Sequence, residues 1–200
     1  MIKNIIFDIG NVLTDFGWEK FYRRFQYSEE VFQRLAAATV NTQAWHEFDR
    51  GEWTDEQVIN AFVANDPGIE KEIREVTRNM HGIVTKREYA IGWIQELTQK
   101  GYKVYVLSNF ARKLAGECAD ALGFLPYTDG GILSYQDKLI KPDPAIYKLL
   151  MERYDLVPEE CVFLDDLERN TLAAQQCGMH AIVFTTKEAA EEELRKLGVK

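Results

Sequence analysis

Six polar side chains follow short apolar runs or stand beside prolines, positions from which a folded chain can present them to a ligand. They occur in the strings FDIGN, VLSNF, IKPDP and FLDDL, and they are Asp8, Ser108, Asn109, Lys141, Asp165 and Asp166. An aspartate can act as a nucleophile, and carboxylates are ligands that Mg²⁺ prefers. A hydroxyl, backbone N–H groups and a lysine can bind a phosphate and neutralise its charge. Together these residue types are suited to phosphoryl transfer.

The adjacent pair Asp165 and Asp166 is the most informative of these features, because neighbouring carboxylates repel each other unless a cation or hydrogen-bond donors compensate them. Taken singly, the other residues have common structural explanations as turn residues or helix caps. Their joint occurrence favours a site in which both acids and Asp8 hold Mg²⁺. The carbonyl of Gly10 is a further candidate ligand, since glycine lets the backbone approach a metal closely. Asp8 would then attack phosphorus and form an aspartyl phosphate.

Four apolar runs predict the buried strands that would carry this site, over residues 2–7, 102–107, 161–164 and 180–184. Helical patterns are predicted over 86–100, 112–122, 145–154, 167–177 and 188–197, and several of them end just before a glycine. Strands that alternate with helices form βαβ units, so we predict an α/β fold with a Rossmann-like, doubly wound parallel sheet. In such a sheet, ligands bind beyond the carboxyl ends of the strands, where the polar residues stand.

Residues 16–85 interrupt this alternation, because they contain several helical patterns and no strand-like run. Within them, Thr54 and Gln57 form the signature of a capping box at the start of a helix. We therefore predict an all-helical cap domain over 16–85, inserted after the first strand of a core domain formed by 1–15 and 86–200. The inserted segment is rich in aromatic residues, most of which we expect in its own core.

Composition constrains the partners and the compartment. The chain carries a net charge of −8 and has a sequence pI of about 5.0, so it lacks the basic face that nucleic acids and anionic membranes require. Its three cysteines form no CxxC motif, which argues against a zinc site and a disulfide framework. No run is long enough to span a membrane, and the first apolar run is too short for a signal peptide. We expect a cytoplasmic monomer or homodimer that acts on a small-molecule phosphate ester.

The chain resembles the haloacid dehalogenase superfamily over its whole length. FDIGNVL is similar to the first motif of that superfamily, Ser108 in VLSN to the second, Lys141 in KPDPAIY to the third, and FLDD to the fourth. The helical insertion after the first motif resembles the cap of subfamily I, which closes over the active site. Within that subfamily, FDIGNV, HEFDRGEWTDE and LSNFAR are similar to the group that contains the bacterial α-D-glucose-1-phosphate phosphatases.

The resemblance implies three sets of residues at one site. The first set contains the nucleophile and the ligands of Mg²⁺, which are Asp8, the Gly10 carbonyl, Asp165 and Asp166. The second set would bind the transferred phosphate, with a catalytic role for its serine and lysine, and consists of Ser108, Asn109 and Lys141. The third set would recognise the rest of the substrate, from a cap loop near 45–54 and from the edge of the cleft, and consists of His46, Arg50 and Arg112. The implied substrate is a sugar phosphate, with an anomeric phosphate such as glucose 1-phosphate as one example.

Position 10 departs from the family pattern, because most phosphatases of the superfamily have an aspartate there that protonates the leaving oxygen and later activates water. Gly10 can do neither. Without that acid, we expect a bias toward leaving groups that are weak bases, such as anomeric phosphates, unless a cap residue such as His46 supplies the proton. Two alternatives stay open, a 2-haloacid dehalogenase-type hydrolase and a non-catalytic phosphometabolite-binding module. Both are less favoured, since Asp8, Ser108, Lys141 and the acid pair are all present.

Overall fold

The structure, a computed structural model, describes residues 1–40 and 42–200. Its strands are β1 (Asn4–Phe7), β2 (Thr14–Phe16), β3 (Val84–Lys86), β4 (Lys103–Ser108), β5 (Gly130–Leu133), β6 (Cys161–Asp165) and β7 (His180–Val183). Five of them form a parallel sheet in the order β5-β4-β1-β6-β7, and β2 pairs with β3 in an antiparallel ribbon. The predicted α/β fold with a parallel sheet is therefore confirmed.

Helices cover the sheet and form the insertion after β2. They are α1 (Trp18–Arg23), α2 (Glu29–Ala38), α3 (Gln43–Arg50), α4 (Asp55–Asn65), α5 (Glu70–Arg78), α6 (Tyr89–Gln99), α7 (Arg112–Glu117), α8 (Ser134–Asp137), α9 (Pro144–Tyr154), α10 (Glu168–Gln176) and α11 (Lys187–Lys196). The helix predicted over 112–122 ends early, at Glu117, and a 3₁₀ turn over Ala119–Leu122 follows it. No helix within residues 1–40 or 42–200 is long and apolar enough to cross a membrane.

The central strand β1 is buried on both faces. Ile5 and Phe7 belong to the apolar layer that contains α6 and α11, and Ile6 belongs to the layer that contains α9 and α10. The ring of Phe7 lies 4.7 Å from the ring of Trp93 on α6. Because side chains alternate along a strand, successive residues of β1 fill opposite layers. A charged residue can therefore stand only where β1 leaves the sheet, which is the position of Asp8.

Strand β5 was not predicted, and its glycines explain why. Glycine is depleted in strands, so GGIL does not read as one. In the folded protein, a Cβ on Gly131 would overlap Val106 on the neighbouring strand β4, and a Cβ on Gly130 would lie 2.5 Å from Cε1 of Tyr154. Tyr154 Oη also accepts a hydrogen bond from Gly131 N at 2.8 Å. Close packing selects glycine here against its strand propensity.

Residues 17–83, called the helical segment below, contain α1 to α5. The prediction that 16–85 lacks strands was wrong at both ends, because Phe16 pairs with Val84 in the β2–β3 ribbon. Short two-stranded ribbons carry too few residues for a periodic signal. The predicted capping box is confirmed, since Gln57 N donates to Thr54 Oγ1 at 3.2 Å and Thr54 N donates to Gln57 Oε1 at 2.8 Å. The division into a core domain and a cap domain stays a prediction.

Candidate active site

The carboxyl ends of β1, β4 and β6 meet at one edge of the sheet, because these three strands are neighbours. Phe7 pairs with Leu164 of β6, and Asp8 N donates to Leu164 O at 2.8 Å. Ser108 is the last residue of β4, and Asp165 is the last residue of β6. Three neighbouring strands therefore bring Asp8, Ser108 and Asp165 to the same edge of the sheet.

Lys141 lies between two of these carboxylates. Its Nζ is 2.8 Å from Asp8 Oδ1 and 2.6 Å from Asp165 Oδ2. The exposed fraction of the side chain is 1% for Lys141, 10% for Asp8 and 0% for Asp165. Buried charges need partners and hydrogen bonds, and here one ammonium serves two carboxylates. The ion pairs hold the lysine within hydrogen-bond distance of the candidate nucleophile.

Asp165 receives hydrogen bonds on both of its oxygens. Leu167 N donates to Oδ1 at 2.8 Å, and Asn170 Nδ2 lies 3.0 Å from both Oδ1 and Oδ2. Lys141 contacts Oδ2 as well. Charge-assisted hydrogen bonds of this kind orient a carboxylate and compensate its charge. Asp165 is therefore fixed in position before any ligand binds.

Asp8 has a strongly perturbed carboxyl group. Its pKa is raised from the ordinary value of 3.8 to about 7, because burial and, to a smaller extent, the charge of Asp165 outweigh the opposing effects of Lys141 and the Ser108 hydroxyl. Ile9 N donates to Asp8 Oδ1 at 2.7 Å. An opposite charge nearby lowers the pKa of a carboxyl group. The ionised form of Asp8 therefore gains from additional positive charge, such as that of a metal ion.

The acids at this edge fit a divalent cation. Asp8, Asp165 and Asp166 each offer a carboxylate oxygen, and these oxygens lie within 4.8 Å of one another. Burial raises the pKa of Asp166 too, and Asn11 Nδ2 donates to its Oδ2 at 2.9 Å. Asn170 Oδ1 is buried and has no hydrogen-bond partner in the part of the chain that the structure describes, so it can accept a bond from a bound water or ligand. This all-oxygen donor set suits Mg²⁺.

The loop after β4 is tied to the lysine. Asn109 Nδ2 donates to Lys141 O at 3.0 Å, and Lys141 N donates to Asn109 Oδ1 at 2.7 Å. The Ser108 side chain is buried, and its hydroxyl lowers the pKa of Asp8. Because its amide holds the Lys141 backbone, Asn109 can offer a phosphate its backbone N–H rather than its side chain. The side chain of Asn109 positions Lys141.

The edge of the sheet borders a pocket with a volume of about 300 Å³, a size at the lower end of small-molecule sites. The residues of this edge that line it are Asp8, Gly10, Asn11, Ser108, Asn109, Lys141, Asp166 and Asn170. A second group of lining residues comes from β2, β3 and the helical segment, and consists of Thr14, Phe16, Trp18, Val40, Trp45, His46, Asp49 and Val84. Further lining residues follow β4 and β6, namely Phe110, Leu114, Leu167 and Arg169. The pocket combines a charged edge of the sheet with aromatic side chains and a few separate polar groups.

Among the three residues predicted to recognise the substrate, His46 lines this pocket, and Arg50 and Arg112 do not. Arg50 Nε pairs instead with Glu47 at 3.3 Å, because the two stand one helical turn apart on α3. The Arg112 guanidinium lies 6.0 Å from the centre of the Tyr135 ring. The region predicted as a recognition loop is mostly the helix α3.

Two charged residues of the pocket were not predicted. Asp49 follows His46 by three residues on α3, a spacing that places both on one helical face and could have signalled it. The pKa of Asp49 is raised from 3.8 to about 8, because burial and the charge of Asp8 outweigh the opposing charge of Lys141. Arg169 lies in the first turn of α10, where no local pattern distinguishes it from a solvated arginine. Burial and the charge of Arg169 lower the pKa of His46.

Comparisons with known proteins show a family and relatives that match nearly the whole chain. The chain matches the family described as haloacid dehalogenase-like hydrolases over residues 2–178. It is 25% identical to the sesquiterpene phosphatase astK of Aspergillus oryzae, covering 98% of this chain and 96% of that protein. It is 26% identical to D-ribitol-5-phosphate phosphatase of Bacteroides thetaiotaomicron, covering 89% of each. A solved HAD family enzyme of the same organism, in complex with magnesium and inorganic phosphate, has a TM-score of 0.68 at 20% identity, covering 94% of this chain and 96% of that chain.

Two other relatives are longer proteins. The chain is 28% identical to mouse acyl-CoA dehydrogenase family member 10 over 98% of its own length, but spans 19% of that protein. It is 22% identical to drimenol cyclase drtB of Aspergillus calidoustus over 98% of its length, and spans 37% of it. The family match includes the carboxylates, the serine and the lysine at the edge of the sheet. The chain therefore belongs to the haloacid dehalogenase-like hydrolases.

Proposed function

We propose that this chain is a Mg²⁺-dependent phosphatase that hydrolyses a small phosphate monoester through an aspartyl phosphate on Asp8. The observation that carries the proposal is the contact of Lys141 Nζ with Asp8 Oδ1 at 2.8 Å, inside a cluster of carboxylates whose oxygens lie within 4.8 Å of one another. Positive charge beside a nucleophilic carboxylate lets an anionic ester approach it. The names of two relatives, a sesquiterpene phosphatase and a ribitol-5-phosphate phosphatase, support the same reaction class.

In the first step, a carboxylate oxygen of Asp8 attacks phosphorus, and the bond between phosphorus and the ester oxygen breaks. Lys141 and the Ser108 hydroxyl bind the transferred phosphate and balance its charge, together with backbone N–H groups of the loop after β4. In the second step, water attacks phosphorus, which releases inorganic phosphate and restores the Asp8 carboxylate. Mg²⁺, held by Asp8, the Gly10 carbonyl and the acid pair, would supply positive charge that polarises the phosphate and favours ionised Asp8.

We further propose a sugar phosphate as the substrate class. The pocket offers the aromatic rings of Trp18 and Trp45 together with the polar groups of His46, Asp49 and Arg169. Ligand pockets of this kind use apolar and aromatic surface for affinity and a few polar groups for orientation. A sugar presents both C–H faces and hydroxyls, so it can use both kinds of surface. The narrower prediction of an anomeric phosphate rests on Gly10 and stays a prediction.

The helical segment is proposed to act as the cap domain. Trp45, His46 and Asp49 of α3 line the same pocket as Asp8 and Lys141, although they come from the insertion rather than from the sheet. Substrate recognition would then be divided between the segment and the edge of the sheet.

Phosphate release from sugar, acyl, alkyl and aryl phosphates, measured with Mg²⁺ and with EDTA, tests the proposal. We expect release that requires Mg²⁺ and disappears in Asp8→Asn. Asp55→Asn is a matched control, because Asp55 is exposed in the first turn of α4 and lies outside the pocket. Chloride release from 2-haloacids in EDTA would replace this reaction by dehalogenation. Binding of phosphate esters without release of either product would replace it by a binding role.

A further inference from the structure

The proposed reaction needs a proton donor for the leaving oxygen, and position 10 does not provide one. Gly10 lines the pocket, and a Cβ built there would meet no atom within 4 Å. There is thus free space beside Asp8 where a carboxyl group could stand. An alcohol leaving group that is a strong base departs slowly unless a group in the site protonates it. Another acid of the pocket would have to take this role.

Asp49 is anchored next to the loop after β4. It lies at the end of α3, and its backbone carbonyl accepts a hydrogen bond from Ser134 Oγ at 2.5 Å. The same hydroxyl oxygen accepts a hydrogen bond from Phe110 N at 2.9 Å, two residues after Ser108. Ser134 is fully buried. One serine therefore joins the end of α3 to the loop that is proposed to bind phosphate.

The side chain of Asp49 is free to act. Across residues 1–40 and 42–200, no salt bridge and no side-chain hydrogen bond engages its carboxyl group, and no hydrogen bond contributes to its pKa. Asp49 is also absent from the carboxylates that converge on the proposed metal position. Burial and the charge of Asp8 raise its pKa to about 8, which favours the protonated form at neutral pH.

The other polar groups of the pocket are less suited to donate a proton. The ammonium of Lys141 is shared between two carboxylates. Burial and the neighbouring charge of Arg169 lower the pKa of His46, which disfavours its protonated form. A guanidinium such as that of Arg169 does not give up its proton in proteins. The carboxyl group of Asp166 belongs to the proposed metal site.

We propose that Asp49 is the general acid and base of this site, in place of the aspartate that is missing at position 10. The proposal rests on the proposed function. As the bond from phosphorus to the ester oxygen breaks, the Asp49 carboxyl donates its proton to that oxygen, and a neutral alcohol leaves. Asp49 is then a carboxylate, and it accepts a proton from the water that attacks the aspartyl phosphate. Inorganic phosphate and the Asp8 carboxylate are released, and Asp49 is protonated for the next turnover.

The test compares esters whose leaving groups differ in basicity, from p-nitrophenyl phosphate to primary alkyl and sugar phosphates. Asp49→Asn should lower kcat/KM for the alkyl esters by about 10²–10⁴-fold, because kcat/KM reports the step in which the leaving oxygen is protonated and not the later attack of water. Its effect on p-nitrophenyl phosphate should be much smaller, because p-nitrophenolate leaves without protonation. Asp55→Asn, the matched exposed acid, should leave every rate unchanged. His46→Ala is measured in parallel, since His46 is the other titratable group from the same helix.

The space at Gly10 provides a rescue experiment. Adding Gly10→Asp to the Asp49→Asn protein should restore part of the lost rate, and more of it for alkyl esters than for p-nitrophenyl phosphate. A loss of kcat/KM in Asp49→Asn that is equal for all esters would overturn the assignment, and so would a dependence on leaving group that appears in His46→Ala instead. If the wild type releases no phosphate from p-nitrophenyl phosphate with Mg²⁺, the proposed function itself fails. That outcome is distinct from failure of the Asp49 assignment alone.

Discussion

The buried carboxylate of Asp8 should destabilise the metal-free protein when it is ionised. Asp8→Asn should therefore raise the free energy of unfolding in EDTA. Folding raises the pKa of Asp8 from 3.8 to about 7, chiefly by burial. One pKa unit corresponds to about 1.4 kcal/mol, so ionised Asp8 opposes folding at pH 8 by at most about 4 kcal/mol. The amide of the variant stays neutral at every pH. Lys141 loses one carboxylate but keeps Asp165 at 2.6 Å, which reduces the gain.

The direction of the pH dependence follows from the order of the two pKa values. Between 3.8 and about 7, the folded protein holds the proton of Asp8 more tightly than the unfolded chain does. Unfolding therefore releases protons in this interval, and stability falls as the pH rises. Outside the interval, Asp8 has the same charge in both states. The stability difference between variant and wild type should grow from about pH 4 to about pH 7 and then stay constant.

Thermal unfolding of both proteins in EDTA, from about pH 4.5 to about pH 8.5, measures this difference. For a protein of this size, 1 kcal/mol shifts the melting temperature by roughly 2–4 °C, so the full effect is at most about 8–16 °C. Mg²⁺ should stabilise the wild type more than the variant, because the variant has lost a ligand. A variant that melts below the wild type at pH 8 in EDTA would refute the reasoning, as would a difference that does not change with pH.

Three further substitutions test the site and the sheet. Lys141→Met should abolish turnover and lower the unfolding free energy by about 3–5 kcal/mol in urea titrations, because two buried carboxylates lose their ammonium; unchanged stability would contradict the ion-pair network. Ser134→Ala should cost about 1–3 kcal/mol in thermal melts, because Phe110 N and the carbonyl at the end of α3 lose a partner; a protein as stable as the wild type would argue against that anchor. Gly131→Ala should destabilise by on the order of 3–5 kcal/mol, because its Cβ overlaps Val106, and an unaltered melting temperature would disprove the close approach of β4 and β5.

Much of the sheet could be predicted from the sequence, and so could the position of the acids at its edge, because these acids directly follow or end apolar runs. Asp8 follows β1, and Asp165 ends β6, so local sequence already places them at the carboxyl ends of strands. The polar residues on the other side of the pocket depend on long-range packing. Asp49 reaches the site because the end of α3 contacts Ser134, which is 85 residues away in sequence. Local periodicity carries no information about such a contact.

Arg50 was predicted to contact the substrate but does not line the pocket, and a local ion pair gives the reason. Arg50 was selected for its charge in a segment near the cleft, yet Glu47 one turn earlier on α3 captures its guanidinium. Strand β5 shows the opposite case, in which a tertiary requirement for glycine removes the local strand signal. In both cases the outcome depends on neighbours in space rather than on residue type alone.

The β2–β3 ribbon brings both ends of the helical segment side by side. Asp15 stands opposite Thr85, and Arg87 Nε donates to Asp15 Oδ1 at 2.7 Å. An insertion whose ends meet can be excised or exchanged by closing the ribbon with a short hairpin turn, without moving the parallel sheet. Bond cleavage at phosphorus and choice of substrate can therefore evolve as separable modules. If Asp49 supplies the proton, an exchanged insertion would have to bring its own acid, or the sheet would have to regain one at position 10.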